Sequence, residues 1–330
     1  MKVLLVFPPQ WTAAQPHFGV ASLNGQLRRA GHDVVLRDLN LELIEHVLTS
    51  DAQTLAQKRL IGEARLLTAE LASHALARNA DELAAVERRL RGLERYVDRR
   101  GPRLAQLCDA AEAIAPELRD PAGYFEPERF LAAVGALDAA LELYSAASYP
   151  TALAWNDFRH PTVPLDLEPL RAIADDRRLN PCIRFYERKL LGLLEADAGL
   201  IAVSISASSQ VVPGLTLALM LRRELEKLPA SGRPHLSLGG NFFSRLREAL
   251  LERPGFFESF CDSLCIGEGE RTLVELVTAV DRGLPLSPVP NLLFLSDGEV
   301  KGTPTAPNHR MDALAMQELA GLPLDRYLAP

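Results

Sequence analysis

Short apolar runs alternate along this chain with longer stretches of helical periodicity, the pattern of strands and helices taking turns. Val3 to Phe7 is continuously apolar and predicts a buried strand. Val20, Leu23, Leu27 and Ala30 then recur at helical spacing, Gly31 is placed to cap that helix, and Val34 to Leu36 predict a second strand ending at Asp38-Leu39-Asn40. From about Leu41 to Ala196 the texture shifts to Ala, Leu, Arg and Glu, which predicts an inserted helical module; Leu83, Val86, Leu90, Leu93 and Val97 follow one helix face within it. Its latter part, Pro121 to Pro181, gathers Tyr124, Phe125, Tyr144, Tyr149, Trp155 and Phe158 among several prolines, and is expected to be looped and packed against a neighbouring surface.

Alternation then resumes. Strands are predicted at 200–204, 235–238 and 263–266, with helices over Val212–Leu228, Arg245–Leu251 and Thr272–Asp281. Leu292 to Leu295, Asp297-Gly298 and Val300 read as a hairpin appended to the sheet. Strands separated by helices run parallel and cross over right-handedly. The expected fold is therefore α/β, a five-stranded doubly wound parallel sheet of Rossmann-like order 2-1-3-4-5. Residues 1–40 and 197–305 would form it, 41–196 the insertion, and 306–330 a linker.

Composition narrows the function. No apolar run approaches the roughly 18 residues of a membrane span, and Pro8-Pro9 interrupts the first apolar run before a secretion signal could be complete. The net charge is −7 and Lys and Arg never cluster without interleaved acids, so neither a membrane nor nucleic acid is the expected partner. Four cysteines in 330 residues fit a reducing cytoplasm without a disulfide framework.

Three polar, small-residue clusters each follow a predicted strand: Ser204, Ser206, Ser208, Ser209 and Gln210; Gly239, Gly240 and Asn241; Gly267, Glu268, Gly269 and Glu270. In a 2-1-3-4-5 sheet the order reverses between the first and third strands, which brings Pro8, Pro9 and Gln10 beside the serine cluster. The glycines remove side chains where backbone must come close to a ligand, while the hydroxyls and amides supply donors and acceptors. Taken alone, any one cluster is more often turn and cap chemistry than a ligand contact. Three on one sheet edge point to a site for a large, amide-rich or polyol-like ligand.

At these residues the chain resembles a known family. Met1 to Gln10, Phe18 to Leu23, Ala30 to Val34 and Asp38 to Asn40, with Val203 to Ser206, Ser208 to Gln210, Leu238 to Phe243 and Ile266 to Arg271, are similar to the N-terminal cobalamin-binding domain of B12-dependent radical S-adenosylmethionine enzymes. Gly321 to Pro330 is similar to the linker that leads into the radical domain in the branch tied to maturation of ribosomal peptide natural products. The resemblance covers about residues 1–40 and 197–330. It implies a corrin across the strand edge with its nucleotide tail between sheet and helices, held by Pro8 to Gln10, Ser204, Ser206, Ser208 to Gln210, Gly239 to Asn241 and Gly267 to Glu270. The function implied is that of a cobalamin module in a methyltransferase acting on a peptide or other natural product.

The Asp-x-His-x-x-Gly motif that supplies a lower-ligand histidine in other cobalamin domains has no counterpart here, so cobalamin would bind without a histidine from it. S-adenosylmethionine and a 4Fe-4S cluster would enter only through a radical domain missing from this chain, which would be a partner of the module. Cys261 and Cys265 match the first spacing of Cys-x3-Cys-x2-Cys, but the third position is Glu268. All four cysteines, Cys108 and Cys182 included, read as small buried hydrophobes, and no metal site is expected. His17 lies near the proposed mouth and is either a ligand contact or a solvated or capping residue; His32 and His235 precede strands at the far end. Glu268 and Glu270 are expected to accept hydrogen bonds rather than act as a catalytic pair, and no catalytic residue is identified in this chain. A nucleotide-sugar-dependent glycosyltransferase N-terminal domain is the alternative, since it too opens with a strand, a Pro or Gly loop and a Gly-His-Asp-Val turn. A receiver-type domain fits less well, because Ser204-Ile205-Ser206 stands where its phosphorylated Asp would end the third strand. The aromatic half of the insertion is read either as cover for the strand edge or as an ordinary helical subdomain.

Overall fold

The computed structural model describes residues 1–74, 80–161, 166–307, 312 and 314–329; the parts of the expected linker at 308–311, 313 and 330 lie outside the described residues. The chain opens with β1 (Lys2–Phe7), α1 (Phe18–Arg29) and β2 (Asp33–Asp38). Among the described residues seven helices follow: α2 (Leu39–Val47), α3 (Ser50–His74), α4 (Ala80–Arg119), α5 (Pro121–Tyr124), α6 (Pro127–Ala146), α7 (Leu167–Asp175) and α8 (Cys182–Leu194), with the hairpin β3 (Ala152–Ala154) and β4 (Asp157–Arg159) between α6 and α7. The alternating half contains β5 (Leu200–Ser204), α9 (Val211–Leu225), β6 (His235–Gly239), α10 (Arg247–Leu251), α11 (Pro254–Phe260), β7 (Ser263–Cys265), α12 (Gly269–Arg282), β8 (Leu292–Ser296) and β9 (Glu299–Gly302).

One sheet runs in the order β2-β1-β5-β6-β7-β8-β9. Its first five members are parallel, while β8 pairs antiparallel with both β7 and β9. The sheet therefore has seven strands rather than the expected five. The reason is local: Leu292, Leu293 and Phe294 pair with Cys265, Leu264 and Ser263, so the hairpin joins the sheet as two further strands. Other differences have equally local causes. Gly267 takes φ +76° and Glu268 is extended, so α12 begins at Gly269, three residues earlier than the helical periodicity indicates. The expected helix over Arg245–Leu251 is a 3-10 turn, Asn241–Arg245, followed by the short α10, and α11 starts on Pro254, a residue suited to the first turn of a helix. In the insertion, the stretch from Pro121 to Pro181 that was expected to be looped is largely helical, in α5, α6 and α7, because its apolar residues such as Leu137, Leu141, Leu170 and Ile173 pack into the main core; the β3–β4 hairpin interrupts it.

The two faces of the sheet are covered unequally. Leu4, Val6, Ile201, Val203, Leu236, Leu238 and Leu264 point into one large apolar cluster shared with α2, α6, α7, α8, α9 and α11, so the insertion and the sheet have a common core. Val3, Leu5, Phe7, Leu200, Ala202 and Cys265 face a smaller cluster closed by α1 and α12. The middle stretches of α3 and α4 pack with α6 around Leu60, Leu67, Leu93 and Leu104. Among the described residues no helix is long and apolar enough to cross a membrane.

Candidate functional site: a groove beneath the strand tips

Strand alternation assigns every second residue to one face. On the face toward α1 and α12, the residues of β5, β6 and β7 nearest their carboxyl ends are Ala202 and Ser204, Ser237 and Gly239, and Cys265. Their registers align them in rows, Leu5 with Ala202 and Ser237, then Ser204 with Gly239. The opposite face carries Val203, Leu238 and Leu264 at the intervening positions. Small side chains in adjacent rows cannot fill the layer beneath the helices. What remains is a cavity of about 380 Å³ that opens at the strand tips.

Gly19 and Leu23 of α1 and Gly269, Glu270 and Leu273 of α12 form its helical wall. Ser206, Gly240, Asn241, Ser244, Gly267 and Glu268 surround the mouth. A Cβ added to Gly267 would meet nothing within 4 Å, so the rim is open there. Gly240 has a different reason for being glycine. Its φ is +113°, and a Cβ would lie 2.2 Å from the Ile205 carbonyl oxygen, so the chain itself, before any ligand, excludes a side chain.

Several polar groups of the wall are already engaged within the protein. Glu270 Oε1 accepts from Ser22 Oγ at 3.0 Å and so ties α12 to α1 at the rim. Ser237, 1 % exposed, exchanges hydrogen bonds with the neighbouring Ser263 and is satisfied inside the sheet. His17 precedes α1 without capping it through its side chain; its ring stacks on Phe7 at 4.6 Å, its Nδ1 is buried without a partner, and burial lowers its pKa, which favours the neutral imidazole. Glu268 and Glu270 are the carboxylates of the wall, and among the described residues no Arg or Lys lines it.

Nine of the residues singled out in the sequence thus line the cavity: Ser204, Ser206, Gly239, Gly240, Asn241, Gly267, Glu268, Gly269 and Glu270. Pro8, Pro9, Gln10, Ser208, Ser209 and Gln210 do not. Gln210 is fully buried; its Oε1 accepts from the backbone N–H of Ser206 (2.9 Å) and Ala207 (3.3 Å), and its Nε2 donates to the Pro8 carbonyl (2.6 Å). Ser209 Oγ donates to the Gln10 carbonyl at 2.7 Å, and Gln10 Nε2 donates to the carbonyls of Ala154 and Trp155. Trp155 Nε1 in turn donates to Thr12 Oγ1 at 2.6 Å. These residues lock the β1 and β5 loops to each other and to the β3–β4 hairpin, and so fix the rim from outside. The hairpin docks on the strand edge without entering the cavity wall, whereas Tyr144 is buried in the main core.

Ala202, Ser237, Cys265, Ser244, Leu5, Leu23 and Leu273 also line the groove and were not picked out from the sequence. The signal was present: LIAVS, HLSLG and SLC each set small residues on one strand face and large ones on the other. All four cysteines are free and buried; burial pushes Cys265 and Cys182 up to about 12 and Cys261 well above the ordinary range, so none is a thiolate at neutral pH. His235 bonds Ser263 Oγ at the start of β6, and His32 lies near the amino terminus.

No family model matches the chain, and no curated protein matches it. Two solved structures of TsrM, a radical S-adenosylmethionine methyltransferase from Kitasatospora setae, are similar at 13 % identity and a TM-score of 0.38. One has cobalamin and a [4Fe-4S] cluster bound and aligns with 95 % of this chain; the other has tryptophan substrate and the analogue aza-SAM bound and aligns with 92 %. This chain spans 30 % of the length of those proteins. At this level of likeness no residue here takes a role from them.

Proposed function

We propose that this chain is the cobalamin-binding module of a B12-dependent radical S-adenosylmethionine enzyme, a methyltransferase acting on a peptide or another natural product. The observation that carries the reading is the position of the groove: it starts at the tips of parallel strands and descends along one sheet face between α1 and α12. A cavity of about 380 Å³ is near the low end of the ~300–1,000 Å³ that small ligands occupy. It suits a heteroaromatic base and sugar, leaving a macrocycle outside over the rim. Leu5, Ala202, Ser237, Cys265, Leu23 and Leu273 would hold the tail, and Ser204, Ser206, Asn241, Ser244, Glu268 and Glu270 would meet carboxamides. Methylcobalamin, when bound, supplies a transferable methyl group. S-adenosylmethionine and the 4Fe-4S cluster belong, in this reading, to a radical domain beyond these residues.

The same wall disfavours the glycosyltransferase alternative. A nucleotide sugar brings a diphosphate, which the carboxylates Glu268 and Glu270 would repel, with no Arg or Lys among the described lining residues to offset them. Reconstitution of the purified chain with hydroxocobalamin, followed by desalting and a visible spectrum, tests the proposal. Retained corrin with a base-off spectrum is expected, and a colourless protein would refute the assignment.

A further inference from the structure

A second cavity, of about 220 Å³, lies within the insertion between α3, α6 and the segment entering α8. Its wall includes Arg59, Glu63, Tyr144, Ser148, Arg178 and Arg184. The nearby carboxylates are already committed. Glu63 accepts from Arg178 Nε at 2.6 Å and pairs with Arg89 Nη2 at 3.0 Å, and Glu70 accepts from Arg178 Nη1 at 2.9 Å. Arg177 is paired with Glu187 and Lys189 with Glu42. Among the described residues Arg188 reaches only His46 Nε2, at 3.2 Å.

Arg59 and Arg184 are left without an ion pair or hydrogen bond among the described residues. Tyr144 is 5 % exposed and its hydroxyl also has no hydrogen-bond partner among them. Arg178 Nη2 is buried and unpartnered. Burial and the adjacent Arg184 both lower the pKa of Arg59, the mark of cations held together without a counter-ion. Two uncompensated guanidiniums in one concavity of a chain with net charge −7 ask for an anion. The free groups are donors, so the ligand must be an acceptor. Guanidinium forks match the oxygens of a phosphate, and two of them suit a double charge. The volume is below the ~300 Å³ at which drug-sized pockets begin, too small for a nucleotide.

We propose that this cavity binds a small dianionic phosphate, either inorganic phosphate or a compact phosphate monoester, between Arg59, Arg184, Tyr144 and Arg178. It is separate from the groove and does not depend on what the groove holds. Calorimetric titration of the purified chain at low ionic strength with inorganic phosphate, and separately with glycerol phosphate, tests it. Saturable binding near one equivalent is expected, and the tighter arm distinguishes the free from the esterified ligand. Arg59→Gln and Arg184→Gln should each weaken binding about tenfold, the loss of one charge-assisted contact. Their melting temperatures without phosphate should not fall, because each removes an unpaired cation. Absence of saturable heat from the unaltered chain with both ligands overturns the proposal, as does unchanged affinity in a folded double variant. Should the double variant not fold, the titration of the unaltered chain decides alone.

Discussion

Ala202→Leu separates the groove from the rest of the fold, because stability and ligand retention should move in opposite directions. Ala202 is 6 % exposed, sits in register with Leu5 and Ser237, and lines the cavity. Leucine adds three carbons there. At ~0.8 kcal/mol per buried methylene the gain has a ceiling of about 2.4 kcal/mol, and the open mouth reduces it to about 1 kcal/mol. Overpacking, which costs about 1–3 kcal/mol in a filled core, is avoided because the space exists. Thermal melting should therefore rise by about 1–2 °C for that increment in a chain of this length. Corrin retention after hydroxocobalamin loading and desalting should fall to the background of a protein that binds none, while Ala202→Ser should retain it. A leucine variant that keeps corrin as well as the parent would show that no ligand enters at this depth. One that loses ~2 kcal/mol or more would show that the layer was already full.

Further outcomes follow from single contacts. Gly240→Ala should destabilise by about 3 kcal/mol or more, from the clash with Ile205 and the strained φ, whereas Gly267→Ala should cost only about 1 kcal/mol; chemical denaturation of both compares them directly. Gln210→Ala strands two backbone N–H groups and the Pro8 carbonyl, a loss of about 2–4 kcal/mol by the same assay, and less than ~1 kcal/mol would mean the loops are not braced there. Burial, with Arg188, Lys189 and Arg59 nearby, holds the His46 pKa down at about 4 from an ordinary 6.5. The unfolded chain then binds the extra proton first, so this contribution is complete above pH 6.5 and is lost as the pH falls toward 4; His46→Gln should flatten the stability profile over that window.

Much of this architecture is legible in the sequence because it rests on periodicity. LLVF, LIAV and HLSL end in Pro, Ser and Gly clusters, and the parallel order of the five strands follows from the helices between them. The rim glycines and Ser204, Ser206 and Asn241 were legible for the same reason. Gln10, Ser209 and Gln210 were harder, since an amide near a sheet edge reads alike whether it meets a ligand or a backbone carbonyl. Only the docking of the β3–β4 hairpin, more than a hundred residues away in the chain, decides that Gln10 is consumed by Ala154 and Trp155. Gly240 shows a related ambiguity: glycine is required there, but by Ile205. The second cavity was not legible at all, because Arg59, Tyr144 and Arg184 meet only through the packing of helices far apart in sequence.

The unequal cover of the sheet explains why the groove lies where it does. The face with Ile201, Val203, Leu236 and Leu238 is backed by helices of both the insertion and the alternating half, and this large shared core supplies most of the buried apolar surface. Stability does not then depend on filling the other face. There α1 and α12 can stand over Ala202, Ser237 and Cys265 with space between, held at the rim by Ser22 and Glu270. Leaving that layer empty would otherwise forfeit dispersion contacts on every residue that lines it. Small side chains in three adjacent strands, where leucine is expected to stabilise the fold, are what the proposed ligand site requires.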